Sequence, residues 1–143
     1  MSESTTSQIV IDATPEKVVA VISALEDYPS WTDGMKNVTV QSRDSRGRAT
    51  EATFVVSSGP INDSVTLAYD WQEQSLSWHL VSGSTLTKLD GSYAWQQVGD
   101  CTEVTYQLSV DLSIGLPGIF KRAAEKQIVS TALDGLKKKV ESL

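Results

Sequence analysis

Between Asn37 and Leu112 the apolar residues fall on every second position in six consecutive runs, and few folds accept that pattern. The runs are Val38-Val40, Ala52-Phe54-Val56, Val65-Leu67-Tyr69-Trp71, Leu76-Trp78-Leu80, Tyr93-Trp95 and Val104-Tyr106-Leu108-Val110-Leu112. A period of two places each run's apolar side chains on one face of a strand, with polar residues mostly on the other. Turn-forming residues separate the runs at Asp44-Ser45-Arg46-Gly47, Gly59-Pro60, Glu73-Gln74-Ser75, Ser82-Gly83-Ser84 and Gly99-Asp100. The pattern predicts a curved antiparallel meander of about six strands with one face buried. Asp90-Gly91 is either a two-residue hairpin turn or a glycine at a bend. The bend is preferred, because a turn there would leave two very short strands.

Ahead of the meander, Ser7 to Asp12 reads as a short strand, with Ile9 and Ile11 on one face and Val10 on the other. Thr14 and Pro15 open a helix as N-cap and first helical residue, and Val18, Val21, Ile22 and Leu25 form its buried stripe. In Leu25-Glu26-Asp27-Tyr28-Pro29-Ser30-Trp31 the proline should end the helix and push Tyr28 into extended geometry. Tyr28 and Trp31 then sit on a forced corner.

After the meander, Ile114-Gly115-Leu116-Pro117-Gly118 opens a helix that runs to about Ser142, on the order of 40 Å long. Val129, Ala132, Leu133, Leu136, Val140 and Leu143 share one stripe, while Ile119, Phe120, Ala123 and Ala124 point roughly the other way. Continued backwards, the rear stripe meets Arg122 and Glu125. Either the helix bends and leaves them as an exposed ion pair, the preferred reading, or the pair faces the open end of a cavity. A sheet wrapped around a helix can leave such a cavity, which makes ligand binding the first functional expectation.

At 143 residues the chain suits one domain, spanning 1–143, with a core that needs neither metal nor disulfide. No internal repeat, low-complexity tract or linker divides it. A net charge of −6 argues against nucleic acid as a partner and against a general affinity for anionic membranes. The first residues, Met1-Ser2-Glu3-Ser4-Thr5-Thr6, lack the basic and apolar regions of a secretory signal, and no apolar stretch approaches ~20 residues. The single cysteine, Cys101, excludes an internal disulfide and suits a cytoplasmic location.

Residues able to carry chemistry are few. His79, the only histidine, alternates with Leu76, Trp78 and Leu80 and should face solvent, and one histidine without cysteine partners builds no usual zinc site. Asp63, Asp70, Asp90 and Asp111 are the candidate acids and bases, but Asp70, Asp90 and Asp111 have outward parity and Asp63 falls at a turn. Nothing beside Cys101 in sequence lowers a thiol pKa, and Gly83, Gly91 and Gly99 are too far apart for a phosphate loop. No catalytic residue, metal or cofactor is expected. The aromatics stand out: Phe54, Tyr69, Trp71, Trp78, Tyr93, Trp95 and Tyr106 all take the concave face. Plain core accounts for most of them, yet buried Tyr and Trp rings need hydrogen-bond partners that a ligand or water can supply. Tyr69, Tyr93 and Trp95 lead as pocket lining.

The order of strand, helix, Tyr-Pro-x-Trp corner, six-strand meander and long helix resembles the START-like helix-grip superfamily. Within it the chain looks like the polyketide cyclase/dehydrase and lipid-transport (SRPBCC) branch and is similar to coenzyme Q-binding START proteins. The resemblance is carried by Glu26-Asp27-Tyr28-Pro29-Ser30-Trp31, Leu89-Asp90-Gly91-Ser92-Tyr93, Thr102-Glu103-Val104-Thr105-Tyr106 and Gly115-Leu116-Pro117-Gly118, and it covers about residues 5 to 143. It implies an α+β helix-grip fold, in which about seven antiparallel strands wrap a long C-terminal helix and a short helix follows strand 1. It also implies a cavity between sheet and helix for lipids, isoprenoids, polyketides or similar apolar molecules.

The expected function is therefore binding or transport of a small hydrophobic ligand. Phe54, Val56, Leu67, Tyr69, Trp71, Trp78, Tyr93, Trp95, Tyr106, Leu108, Phe120 and Ala124 are the expected lining. Phe120, Ala124, Pro60 and Ile61 would form a gate. The alternatives are a cyclase/dehydrase-type enzyme, marked by an interior cluster of ionisable or tyrosine groups with perturbed pKa values, and an interaction module with a collapsed interior. Lys121, Arg122 and Lys126, with Lys137, Lys138 and Lys139, would allow a transient membrane contact, though Glu125 and Glu141 interrupt the clusters and favour a solvated face.

Overall fold

The computed structural model describes residues 4–32, 34–58, 61–113 and 117–143, the side chains of Ser58 and Ile61 apart. β1 (Thr5–Ile11) leads into α1 (Pro15–Ser23) and a 3₁₀ turn at Leu25–Ser30. Six strands follow: β2 (Met35–Arg43), β3 (Ala49–Ser58), β4 (Ile61–Trp71), β5 (Ser75–Ser82), β6 (Leu86–Val98) and β7 (Cys101–Leu112). α2 (Gly118–Glu141) comes after them. One antiparallel sheet results, in the order β1-β7-β6-β5-β4-β3-β2. β1 and β2 are consecutive along the chain but form its opposite edges, and α1 with the 3₁₀ turn spans the mouth between them. Register shifts in the β2–β3, β4–β5 and β6–β7 ladders bend the strands. α2 lies along β1 and β7, touches α1 and reaches β3.

The meander follows the alternation closely. Asp90 and Gly91 lie inside a continuous β6, so the bend is what forms. Gly91 faces Trp78 across the β5–β6 ladder, and a Cβ there would stand 2.5 Å from the indole. The glycine lets the indole lie flat against the neighbouring strand.

Local expectations fail at three places. Pro29 does not break the helix; α1 has already ended at Ser23, where Ala24 (φ −87°, ψ 72°) turns the chain. Tyr28 and Pro29 then continue in the 3₁₀ turn, and Tyr28 is not extended. Neighbouring amides carry the turn, with Asp27 N–H donating to Ala24 O and Trp31 and Thr32 N–H to Tyr28 O, so proline's missing N–H costs little. Thr14 caps α1 with its backbone carbonyl alone.

The second difference is Glu125. It is only 2% exposed, because the buried stripe of Val129, Leu133 and Leu136 runs straight back into it without a roll. Its carboxylate accepts the Val110 N–H (2.8 Å) and the Thr5 hydroxyl (3.0 Å), tying α2 to β7 and β1. The expected exposed Arg122–Glu125 pair does not form. Ala124 is buried beside it, and Leu143, expected in the stripe, is 63% exposed beyond the helix end. Third, Asp63, expected at a turn, lies inside β4 and has a structural task. Its carboxylate accepts the amides of Ser84, Thr85 and Leu86 at 2.9–3.1 Å and pins the β5–β6 turn onto β4. Pro60 and the Ile114-Gly115-Leu116 segment lie outside the described residues.

Candidate ligand cavity

Seven aromatic rings cross the concave face in contact. Trp31 meets Tyr28 edge-on (centroids 5.0 Å apart), Tyr28 stacks on Phe54 (6.3 Å), and Phe54 meets Tyr69 (6.3 Å). Tyr69 meets Trp78 (5.9 Å), which touches both Tyr93 (5.4 Å) and Tyr106 (5.7 Å); those two meet edge-on at 4.7 Å. Strand parity brings five of these rings together, and the 3₁₀ turn supplies Tyr28 and, at its exit, Trp31. Beside this belt lies a cavity of about 70 Å³. Its deep wall is buried, with Tyr28, Phe54, Leu67, Tyr93 and Leu108; its rim is half-buried, with Trp31, Gly34, Met35, Val56, Leu89 and Ile128. A drug-sized ligand usually occupies ~300–1,000 Å³, so this interior is nearly filled by its own side chains.

Of the expected lining, Phe54, Val56, Leu67, Tyr69, Trp78, Tyr93, Tyr106 and Leu108 border the cavity, and Trp71, Trp95, Phe120 and Ala124 do not. Trp71 and Trp95 have the right parity but lie at the end of the sheet where β5 begins. There the Trp71 indole N–H donates to Ala49 O (2.8 Å) under the Arg48 guanidinium, and Trp95 is buried opposite Val104. Phe120 is 59% exposed at the start of α2, clear of the cavity. Tyr28, Trp31, Val65, Leu89 and Ile128 also line it, although the sequence does not single them out for that role. Val65 and Leu89 are within reach of the parity rule, since Val65 alternates with Leu67 and Leu89 with Tyr93.

The polar groups of the cavity are mostly phenols. Tyr28 donates to Ile22 O at 2.5 Å. The hydroxyls of Tyr69, Tyr93 and Tyr106 have no protein hydrogen-bond partner among the described residues. Among those residues the only side-chain polar atom both sealed from open space and unpartnered is Trp31 Nε1, so these three hydroxyls touch open space. Burial pushes all four phenol pKa values up, and the neighbouring phenols add to the rise at Tyr28, Tyr69 and Tyr93. The tyrosine cluster that would mark an enzyme is present, but it is held protonated, which equips it to donate hydrogen bonds and not to remove protons. No described lining residue carries a formal charge.

Elsewhere, His79 is exposed, Asp70 is exposed and accepts from Gln72, and Asp111 pairs with Lys121 at 2.9 Å. Partial burial and the Asp12 carboxylate both raise the Cys101 thiol pKa. No group of three or more His, Cys, Asp or Glu residues suited to a metal occurs among the described residues. No helix there is long and apolar enough to cross a membrane.

The profile of the family described as "Polyketide cyclase / dehydrase and lipid transport" matches residues 2–141. A START superfamily protein from Mycobacterium smegmatis superposes with a TM-score of 0.90 at 19% identity, covering 97% of each chain. A protein from Thermus thermophilus, TTHA0849, gives 0.81 at 18% identity over 98% of each. The Zhui aromatase/cyclase from Streptomyces sp. R1128 gives 0.84 at 9% identity, covering 99% of this chain and 94% of its own. No functionally curated protein matches the chain.

Proposed function

Because the chain belongs to the polyketide cyclase/dehydrase and lipid-transport family, we propose that it binds a small apolar molecule in the aromatic cavity and carries it without chemical change. The observation that carries this reading is a wall of seven touching rings whose unpartnered polar groups are all neutral. Affinity would come from apolar burial, about 25 cal/mol per Å². A ligand larger than the cavity of about 70 Å³ would need the half-buried rim of Met35, Val56, Leu89 and Ile128 to give way. Native mass spectrometry of freshly purified protein tests this, followed by solvent extraction. A reproducible added mass released as an apolar molecule supports it. A clean apo mass, with no uptake from a mixed lipid and isoprenoid pool, overturns it.

The enzymatic alternative draws on the tyrosine cluster and on the aromatase/cyclase among the structural neighbours. The raised phenol pKa values argue against it, since a base must shed its proton near working pH. Conversion of a poly-ketone substrate by wild type but not by Tyr93→Phe would favour the enzyme.

For ligand exchange we infer a transient membrane contact at the start of α2. Ile119 (75% exposed) and Phe120 stand out there on a basic helix start that holds Lys126 and the Asp111-paired Lys121, and Glu125 is turned inward. Sedimentation with phosphatidylglycerol vesicles, abolished by Phe120→Ser, supports that contact; equal sedimentation of both proteins rules it out.

A further inference from the structure

Resting on the binding reading above, we propose that the cavity's ligand is an uncharged ring compound bearing a carbonyl-type oxygen, received by the hydroxyls of Tyr69, Tyr93 and Tyr106, and not a fatty acid or a phospholipid. Three observations carry this. The three tyrosines line one cavity, and their hydroxyls have no protein partner among the described residues and are not sealed off from open space. The fourth, on Tyr28, is already committed to Ile22 O, which leaves the β-strand tyrosines as the phenols free to serve a ligand. Their rings converge on Trp78, with Tyr69, Tyr93 and Tyr106 at 5.9, 5.4 and 5.7 Å from it centroid to centroid.

The chemistry follows from what a buried phenol wants. An orphaned donor is costlier to bury than an under-used acceptor. A phenol is also a better donor than acceptor, because its oxygen lone pair is drawn into the ring. Three such donors, held protonated by burial, ask for acceptor oxygen. A hydrocarbon would leave them dry and unpaired. A carboxylate or phosphate would enter a wall that offers no cation among the described lining residues, at a desolvation cost the phenols alone do not offset. The walls add a shape preference, since edge-on and tilted rings on several sides favour a flat, polarisable body over a flexible alkyl chain.

The test uses 1-indanone, indane and indane-1-carboxylate, three probes on one carbon frame, titrated by tryptophan fluorescence against wild type, Tyr93→Phe and Tyr106→Phe. Each hydroxyl removed should weaken 1-indanone about fivefold and change indane by less than about twofold. The carboxylate should bind weakest. In wild type, which needs no variant to fold, the C=O stretch of bound 1-indanone should move to lower wavenumber than in hydrocarbon solvent. If the variants weaken indane and indanone equally or neither, if the stretch stays at its hydrocarbon value, or if the carboxylate binds best, the inference fails while the binding reading stands. If neither indane nor indanone binds, the binding reading fails and takes this one with it.

Discussion

Tyr28, Tyr69, Tyr93 and Tyr106 are all the tyrosines of the chain, and they line a single cavity. Because each folded pKa is raised, the native state keeps protons that the unfolded chain releases near pH 10. Their contribution to stability is complete below about pH 10 and is lost as pH rises towards the folded values. Tyrosinate absorbance should therefore stay flat past pH 10 and then appear together with loss of the circular dichroism signal; gradual ionisation of intact protein would contradict the burial. Gly91 gives a second prediction. Gly91→Ala forces the Trp78 indole aside and should cost about 1–3 kcal/mol in urea unfolding, largely recovered when Trp78→Leu is added. At this scale the sequence is half legible. Alternation puts Phe54, Tyr69 and Tyr93 on the cavity wall, but it gives Trp71 and Trp95 the same face, since parity fixes a side of the sheet and not a position along the strand.

Among elements, strand boundaries are readable because each run is bracketed by turn residues, whereas the corner and the buried face of the first turns of α2 are not. Pro29 reads as a helix breaker, by a rule that holds for α-helices and not for a 3₁₀ turn of six residues. Glu125 reads as surface because charge normally means solvent, and only the assembled sheet shows the Val110 N–H waiting for it. Glu125→Ala should destabilise the protein by about 2–3 kcal/mol in chemical denaturation, with Glu125→Gln losing less because it keeps an acceptor. Asp63→Ala should speed amide hydrogen exchange at Ser84, Thr85 and Leu86, with little change at the β2–β3 ladder. Uniform acceleration would mean that Asp63 supports the whole sheet and not that turn.

For the whole molecule, the fold class follows from element order alone, while the size of the cavity does not. Side-chain packing decides whether rings border a space or fill it, and here they nearly fill it. The corner packs onto α2 at Gly135, where an added Cβ would collide with the Trp31 carbonyl oxygen. Gly135→Ala should push the corner off the helix, lower the melting temperature and speed uptake of a probe such as 1-indanone in stopped-flow fluorescence. Unchanged uptake in a destabilised variant would mean that ligands enter elsewhere.

The pairing of the first strand with the seventh has a consequence for how the protein is made. Ile9 lies opposite Val104, so β1 leaves the ribosome with no partner for roughly 100 residues, about 5–20 s of synthesis. During that interval the nascent chain can build the meander from β2 onward but cannot add β1 to the sheet or seat Glu125 between β1, β7 and α2. A late segment thus locks an early one: β1 waits for β7, and the Glu125 tie between them waits until α2 has cleared the ribosome.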